Sequence, residues 1–243
     1  MRKLLIGASV GVVMLVVAAF ALADTVQTFN QTYTTKKKST STGTSFQTNS
    51  SEDANDAKNH QPKATREFDI KFPAGTKVNT GAAPQCKNVD ESAADPCPKN
   101  TKVGSGHAQV LLPFNGTEPI DADVTAYNRK KGLWLYVVPN FPNQAPVVLK
   151  PKYVGLTLKT ATPPNCIAST NQNGHCVASD GSDGAEAVLT EFDLKVKAIK
   201  KGKKTFLKSP PKCPKSKTWP FVAKITYDDG TSVSPSSLSP CKK

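Results

Sequence analysis

Pro119-Ile-Asp-Ala-Asp-Val-Thr-Ala-Tyr-Asn128, then Arg129-Lys-Lys-Gly132, then Leu133-Trp-Leu-Tyr-Val-Val-Pro139 is the stretch whose reading decides the fold. Side chains alternate with period two on both arms, the pattern of two β-strands that each turn one face to a core. Ile120, Ala122, Val124 and Ala126 share a face of the first arm, opposed to Asp121, Asp123, Thr125 and Tyr127. On the second arm Leu133, Leu135 and Val137 oppose Trp134, Tyr136 and Val138. Bringing both aliphatic rows to one side requires even positions to face odd ones, because a one-residue slip turns a strand over. A two-residue Arg129-Lys130 turn keeps that parity but offers no residue suited to positive φ. A four-residue loop, Arg129 to Gly132, keeps it too, ends on glycine and sets Tyr127 opposite Trp134. The four-residue loop is the expectation.

The same period recurs on either side of this hairpin. Phe68, Ile70 and Phe72 share a face of Arg66–Phe72, and a strand is expected over His107–Phe114. Downstream, Val147–Leu149 and Tyr153–Leu158 read as strands, the second with Val154, Leu156 and Leu158 on one face. Glu186–Ile199 is the longest candidate, with Phe192, Leu194, Val196 and Ala198 inward. Lys200-Lys-Gly202-Lys then turns the chain back, and Trp219–Tyr227 puts Trp219, Phe221, Ala223, Ile225 and Tyr227 on one face. No segment carries a capped 3.6-residue period. Many short strands between Gly/Pro turns indicate an all-β protein, an immunoglobulin-like or related β-sandwich. Residues 24–63 are rich in Thr, Ser, Asn, Gln and Lys; apart from a short strand near Val26–Tyr33 they read as a polar flexible segment leading into a sandwich domain at 64–243.

Residues 1–23 read as a signal peptide: a basic Met1-Arg2-Lys3, an apolar Leu4–Phe20, and Ala21-Leu22-Ala23 before Asp24. The apolar run is long for a signal, so an uncleaved anchor is the alternative. No later stretch is apolar enough to span a bilayer, which leaves a mature chain without a transmembrane span. Cys86, Cys97, Cys166, Cys176, Cys213 and Cys241 all follow the signal, and an even count in an exported chain reads as disulfides. Six cysteines allow fifteen pairings. Pairing of neighbours is the simplest, each bridge then closing one local loop and stabilising by about 3 kcal/mol. A zinc site is the weaker reading, since no C-x-x-C or H-x-x-x-H spacing occurs.

Charge is unevenly placed. Residues 24–194 hold 17 basic and 17 acidic residues, whereas residues 195–243 hold 13 lysines against Asp228 and Asp229. A block of this kind is either a solvated face or a polyanion-binding surface.

From Cys97 onward further motifs appear: Cys97-Pro-Lys-Asn-Thr-Lys-Val-Gly104-Ser-Gly106, preceded by Phe72-Pro-Ala-Gly-Thr and Cys86, and then Ser209-Pro-Pro-Lys-Cys213-Pro, Trp219-Pro-Phe221, Tyr227-Asp-Asp-Gly230 and Cys241. Together they resemble a group of exported, disulfide-containing actinobacterial β-sandwich proteins of unknown function. The resemblance covers residues 66–243 in scattered motifs. It implies export, disulfides and a sandwich, and carries over no activity and no site residues.

The catalytic inventory is thin. The three histidines are His60 in the polar segment, His107 on a strand and His175 in a cysteine loop. Ser105 lacks the glycine two positions earlier that a G-x-S-x-G elbow requires, and Gly104-Ser-Gly106 reads instead as a strand-entry turn. Asp121 and Asp123 point the same way, about 6–7 Å apart by strand rise; such spacings occur in glycosidases, but polar residues on the solvent face of a hairpin are the preferred reading. Asp180-Gly-Ser-Asp183-Gly offers oxygen ligands for calcium without the full loop and its glutamate. No nucleotide-binding motif is present, and no cofactor is expected. Two binding signals remain. Outward Tyr127, Trp134 and Tyr136 form either a platform for a sugar or a surface covered by a second sheet layer or the N-terminal segment. Lys195, Lys197, Lys200, Lys201, Lys203 and Lys204 form a basic knuckle suited to anionic envelope polymers or lipid head groups. Nucleic acid is not expected, since no aromatics interleave with these lysines. The sequence therefore reads as a secreted or cell-envelope β-sandwich acting as a non-catalytic binding or structural module. A secreted hydrolase acting on glycans through Asp121, Asp123 or His107 is the alternative.

Overall fold

The computed structural model describes residues 25–51, 62–90, 96–111, 118–140, 146–162, 164, 166–167, 170–172, 175–177 and 185–242. The signal segment, His60 and the Asp180–Gly184 turn lie outside these residues. Strands β1 (Val26–Tyr33), β2 (Thr44–Ser51) and β3 (Thr65–Lys71) open the chain, followed by β4 (Lys77–Val78) and β5 (Lys102–Leu111). The hairpin is β6 (Pro119–Arg129) and β7 (Gly132–Pro139), then come β8 (Val147–Leu149), β9 (Lys152–Val154) and β10 (Thr157–Ala161). Short pieces β11 (Cys166–Ile167), β12 (Thr170–Gln172), β13 (His175–Val177) and β14 (Ala185–Glu186) precede β15 (Val188–Val196). The chain ends in β16 (Lys200–Lys201), β17 (Lys204–Thr205), β18 (Leu207–Lys208), β19 (Thr218–Tyr227), β20 (Ser232–Val233) and β21 (Ser236–Pro240). Among the described residues the only helical turns are two three-residue 3₁₀ segments. The all-β reading holds.

Thirteen strands form one antiparallel sheet in the order β1-β2-β15-β5-β6-β7-β9-β10-β3-β19-β20, with β21 also on β19 and β8 on β7. The sheet folds back on itself, so its two halves face each other as the layers of a sandwich do. Phe46 of β2 meets Phe68 of β3 across this interior, ring centroids 5.3 Å apart, although six strands separate them along the ladder. Its free edges also approach. Ser237 and Ser239 of β21 accept hydrogen bonds from the backbone N–H groups of Gln31 and Tyr33 on β1, each 2.9 Å. Two serine hydroxyls thus do part of what a missing ladder would do, and an otherwise open strand edge is covered.

The core is the inward row of each strand: Ala122, Val124 and Ala126 with Leu133, Leu135 and Val137 on the hairpin, and Trp219, Phe221, Ala223, Ile225 and Tyr227 on β19, all buried. The parity argument is met, with Tyr127 opposite Trp134. The turn is different. Arg129 pairs with Gly132, the loop is Lys130-Lys131, and Lys131 takes the positive φ of 61°. Gly132 is needed for proximity rather than for φ. A Cβ there would lie 2.2 Å from the carbonyl oxygen of Pro151, which accepts the N–H of Leu133.

Several other expectations are corrected. The segment 24–63 is not a lead-in to the domain over its described part, because β1 and β2 belong to the main sheet and β2 pairs with β15 from Thr44 to Asn49. Its inward residues are Phe46, Thr44 and Thr48, and threonine satisfies a strand core by hydrogen bonding its hydroxyl to neighbouring carbonyls. Polar composition hid a core strand. The strand expected at His107–Phe114 begins earlier, at Lys102, and is described to Leu111, the residues 112–114 lying outside the described ones; Gly104-Ser-Gly106 is therefore strand interior, not an entry turn. A Cβ on Gly106 would sit 2.0 Å from the Asp193 carbonyl oxygen, so its glycine marks close approach to β15. Tyr153–Leu158 is broken by a turn at Gly155, φ 59°, which leaves Val154 exposed rather than beside Leu158. Ala198 lies past the end of β15 and is exposed.

The cysteines pair as neighbours: Cys86–Cys97, Cys166–Cys176 and Cys213–Cys241.

Candidate functional site

Three places were singled out by the sequence, and the fold treats them differently. On the outer face of β15, β5 and β6, His107 Nε2 lies 3.2 Å from Asp121 Oδ1, with Asp123 and Asp193 in register beside His107. Burial pushes the Asp193 carboxyl up, and His107 pulls it partly back. Both members of the His107–Asp121 pair stand on an open sheet face, with side chains 36% and 56% exposed. Ser105 is two residues from His107 on the same outward face, and neither cavity described below is lined by any of these residues. Among the described residues no cluster of three His, Cys, Asp or Glu is arranged to hold a metal ion.

The aromatic face is covered, though by neither of the two elements expected. Tyr127 and Tyr136 are buried with Cys86, Cys97 and Val89, so the lid is the Cys86–Cys97 loop. Trp134 donates its indole N–H to the Cys86 carbonyl, 3.2 Å. The Arg129 guanidinium sits 4.6 Å above the same ring, and burial lowers its pKa. Asn128 fixes the loop's entry by donating its amide to the carbonyls of Thr80, Ala83 and Pro84.

The lysines gather at one end of the fold. Lys195 and Lys197 point outward at the close of β15, and β16 and β17 form the knuckle around Gly202, φ 58°, with Lys200, Lys201, Lys203 and Lys204 all exposed. The loop after β1 brings Lys36, Lys37 and Lys38 to the same end. The Ser39 N–H donates to the Pro210 carbonyl, Ser209 Oγ donates to the Lys37 carbonyl, and the Lys242 N–H donates to the Lys36 carbonyl. Ser41 on the same loop reaches the Ile199 carbonyl beside the knuckle. Exposed Lys212, Lys215 and Lys217 on the crossover, held by the Cys213–Cys241 bridge, complete the surface. Among the described residues none of these lysines forms an ion pair. The contribution of Lys36–Lys38 was not legible in the sequence, since they stand far from the C-terminal block; the only signal was that they too form a run.

The interior holds an arrangement that sequence reasoning missed. A cavity lies between the two halves of the sheet, about 740 Å³ measured to the atom surfaces and counting its open side, of which about 80 Å³ admits the centre of a water molecule. Phe46, Phe68, Leu135, Leu158, Phe192 and Leu194 are among its walls. A second space of about 90 Å³ adjoins it, sharing Thr65, Leu149, Thr162, Leu189 and Phe192. Glu186 stands at the wall of the second space. Arg66 grips it through both Nη atoms, one hydrogen bond being 2.7 Å, and the carboxylate raises the pKa of the guanidinium. The ion pair tethers β3 to the strand before β15 at the end opposite the lysines.

Comparison with protein-family models, with curated proteins and with solved structures finds no match to this chain.

Proposed function

We infer that the protein is an exported, non-catalytic binding module that contacts phosphate-bearing envelope polymer or anionic lipid head groups through its lysine-rich end. One observation carries this reading: a single loop, Lys36–Ser41, hydrogen-bonds to Ile199 beside the knuckle, to the crossover and to Lys242, which draws three separate lysine runs toward one surface. Three disulfides support export, since they persist in oxidising compartments. The signal-like first 23 residues and the resemblance to exported actinobacterial proteins point the same way. The non-catalytic part is supported by the open, shallow setting of His107, Asp121 and Asp123. Exposed charges act over roughly 8 Å at physiological ionic strength, so the contact is weak and salt-dependent.

The test is retention of the oxidised protein on anionic vesicles and on phosphate-bearing polymer between about 50 and 500 mM salt. Changing Lys200, Lys201, Lys203 and Lys204 to Gln lowers retention steeply while the melt stays nearly constant, each exposed substitution moving stability by about 0.5 kcal/mol or less. Changing Lys36, Lys37 and Lys38 to Gln lowers it as well. Retention indifferent to salt and to both sets of changes reduces the lysines to a solubility device.

A further inference from the structure

We propose that the interior cavity is a binding site for a single alkyl chain ending in a hydroxyl group, the hydroxyl donating to Gln31 Oε1. This site is separate from the lysine surface and does not depend on it. Gln31 is 2% exposed and lines the cavity. Its amide nitrogen donates to Thr44 Oγ1 at 3.1 Å, and that hydroxyl in turn donates to the Thr32 carbonyl. The chain Gln31–Thr44–Thr32 fixes the amide's orientation and leaves Oε1, on a residue of the cavity wall, buried with no protein partner. A buried amide oxygen without a donor is costly, so the wall is built for a group that brings one.

The rest of the wall decides what carries that donor. No Lys, Arg, Asp or Glu side chain lines this cavity, so a charged head has nothing to offset its desolvation inside. Phe, Leu, Ile and Val dominate the lining, and a wall of that kind takes apolar molecules. Its shape is narrow. Leu189 and Val196 both contribute, and the seven residue steps from one to the other on β15 span roughly 23 Å. About 80 Å³ drawn out along even half of that length has room for one chain and not for fused rings. The pattern matches ligand sites generally: a concave apolar wall with a small number of placed polar groups. The neighbouring space beside Glu186 gives the tail room to extend, and the Arg66–Glu186 pair closes the far side without leaving a free charge for a carboxylate to meet.

The decisive comparison uses three probes of one chain length: 1-decanol, its methyl ether, which accepts but cannot donate, and decanoate at pH 8. Binding to the oxidised protein is followed by calorimetry and by the shift of the melting temperature. The alcohol is expected to bind about 5- to 10-fold tighter than the ether, the worth of one net hydrogen bond, and decanoate weakest of the three. Gln31→Leu removes the acceptor and should bring alcohol and ether to equal affinity. Leu158→Phe narrows the channel and should weaken both, leaving their ratio intact. Should Gln31→Leu not fold, the ratio in the unaltered protein still decides. The proposal is overturned if the alcohol does not bind, if the ether binds as tightly, or if decanoate does. It is also overturned if the alcohol's advantage survives Gln31→Leu.

Discussion

Two parts of this interior are built on opposite principles. Toward the lysine-bearing end the interior is filled with rings. Phe221 lies 4.9 Å from Tyr33 and 5.5 Å from Phe72, Tyr33 packs edge-on to Trp219, and the Trp219 indole N–H donates to the Lys212 backbone carbonyl. Tyr33 donates or accepts across 2.6 Å to Thr76, and burial raises its phenol well above the ordinary range. At the Arg66–Glu186 end the interior positions are Ala64, Ala187, Thr65 and Thr162, and space is left between them. The part around Trp219 and Phe221 is a close-packed plug under a charged surface, and the part along β15, from Val196 past Leu189 to the ion pair, holds the cavities. The difference assigns rigidity and ligand space to separate parts of one core, which close packing throughout would forbid.

The largest effect should come from breaking the filled part. Phe221→Ala deletes a fully buried ring packed against Tyr33 and Phe72, and truncations of this kind cost about 4 kcal/mol. Chemical denaturation should show the loss as a lower midpoint with an unchanged slope. A loss below about 1 kcal/mol would mean the plug is loose, and the contrast between the two parts would fail.

Next in size is the bridge that ties the lysine crossover to the C-terminus. Cys213 and Cys241 are 28 residues apart, and loop closure of that length corresponds to about 3–4 kcal/mol in the chain-entropy account. The double change to Ser should lower the melting temperature. It should also reduce polyanion retention, because Lys212, Lys215 and Lys217 then lose their fixed relation to Lys36–Lys38. Opening Cys86–Cys97, whose loop covers Tyr127 and Tyr136 on the outer face, should leave that retention unchanged. Equal losses of retention from the two bridges would show that the basic surface does not depend on local architecture.

How much of this was legible beforehand follows from where side chains report their surroundings. Alternation in β6, β7, β15 and β19 is carried by large apolar residues, so these strands, their inward rows and the hairpin parity could be read directly. β2 could not be read, because Thr44 and Thr48 are buried by hydrogen bonding rather than by transfer from water. Gly106 and Gly132 look like turn residues in a sequence, yet both mark places where another backbone comes too near for a Cβ. The lysine knuckle was visible as a run, but its union with Lys36–Lys38 is a tertiary event set by the 39–42 loop. The cavity left no trace at all. A residue that borders a void and one that borders a neighbour have the same one-letter code, and Gln31 differs from a surface glutamine only through what surrounds it.

The smallest effect, and the sharpest test of the hollow part, is Ala187→Val. Ala187 is 9% exposed and lies on the wall of the 90 Å³ space together with Val110 and Val137. An empty space of that order costs about 2 kcal/mol at roughly 24 cal/mol per Å³. Valine adds two methyl groups there, each worth at most about 0.8 kcal/mol when fully buried, and its branched Cβ suits extended backbone. Rotamer loss and imperfect fit offset part of this. The expected outcome is a gain of up to about 1 kcal/mol, against the loss of about 4 kcal/mol for Phe221→Ala in the other part. A core packed alike throughout would respond to added volume by straining, with a loss of about 1–3 kcal/mol. The sign of this one substitution therefore separates a hollow part from a uniformly filled interior, and it does so without any ligand being added.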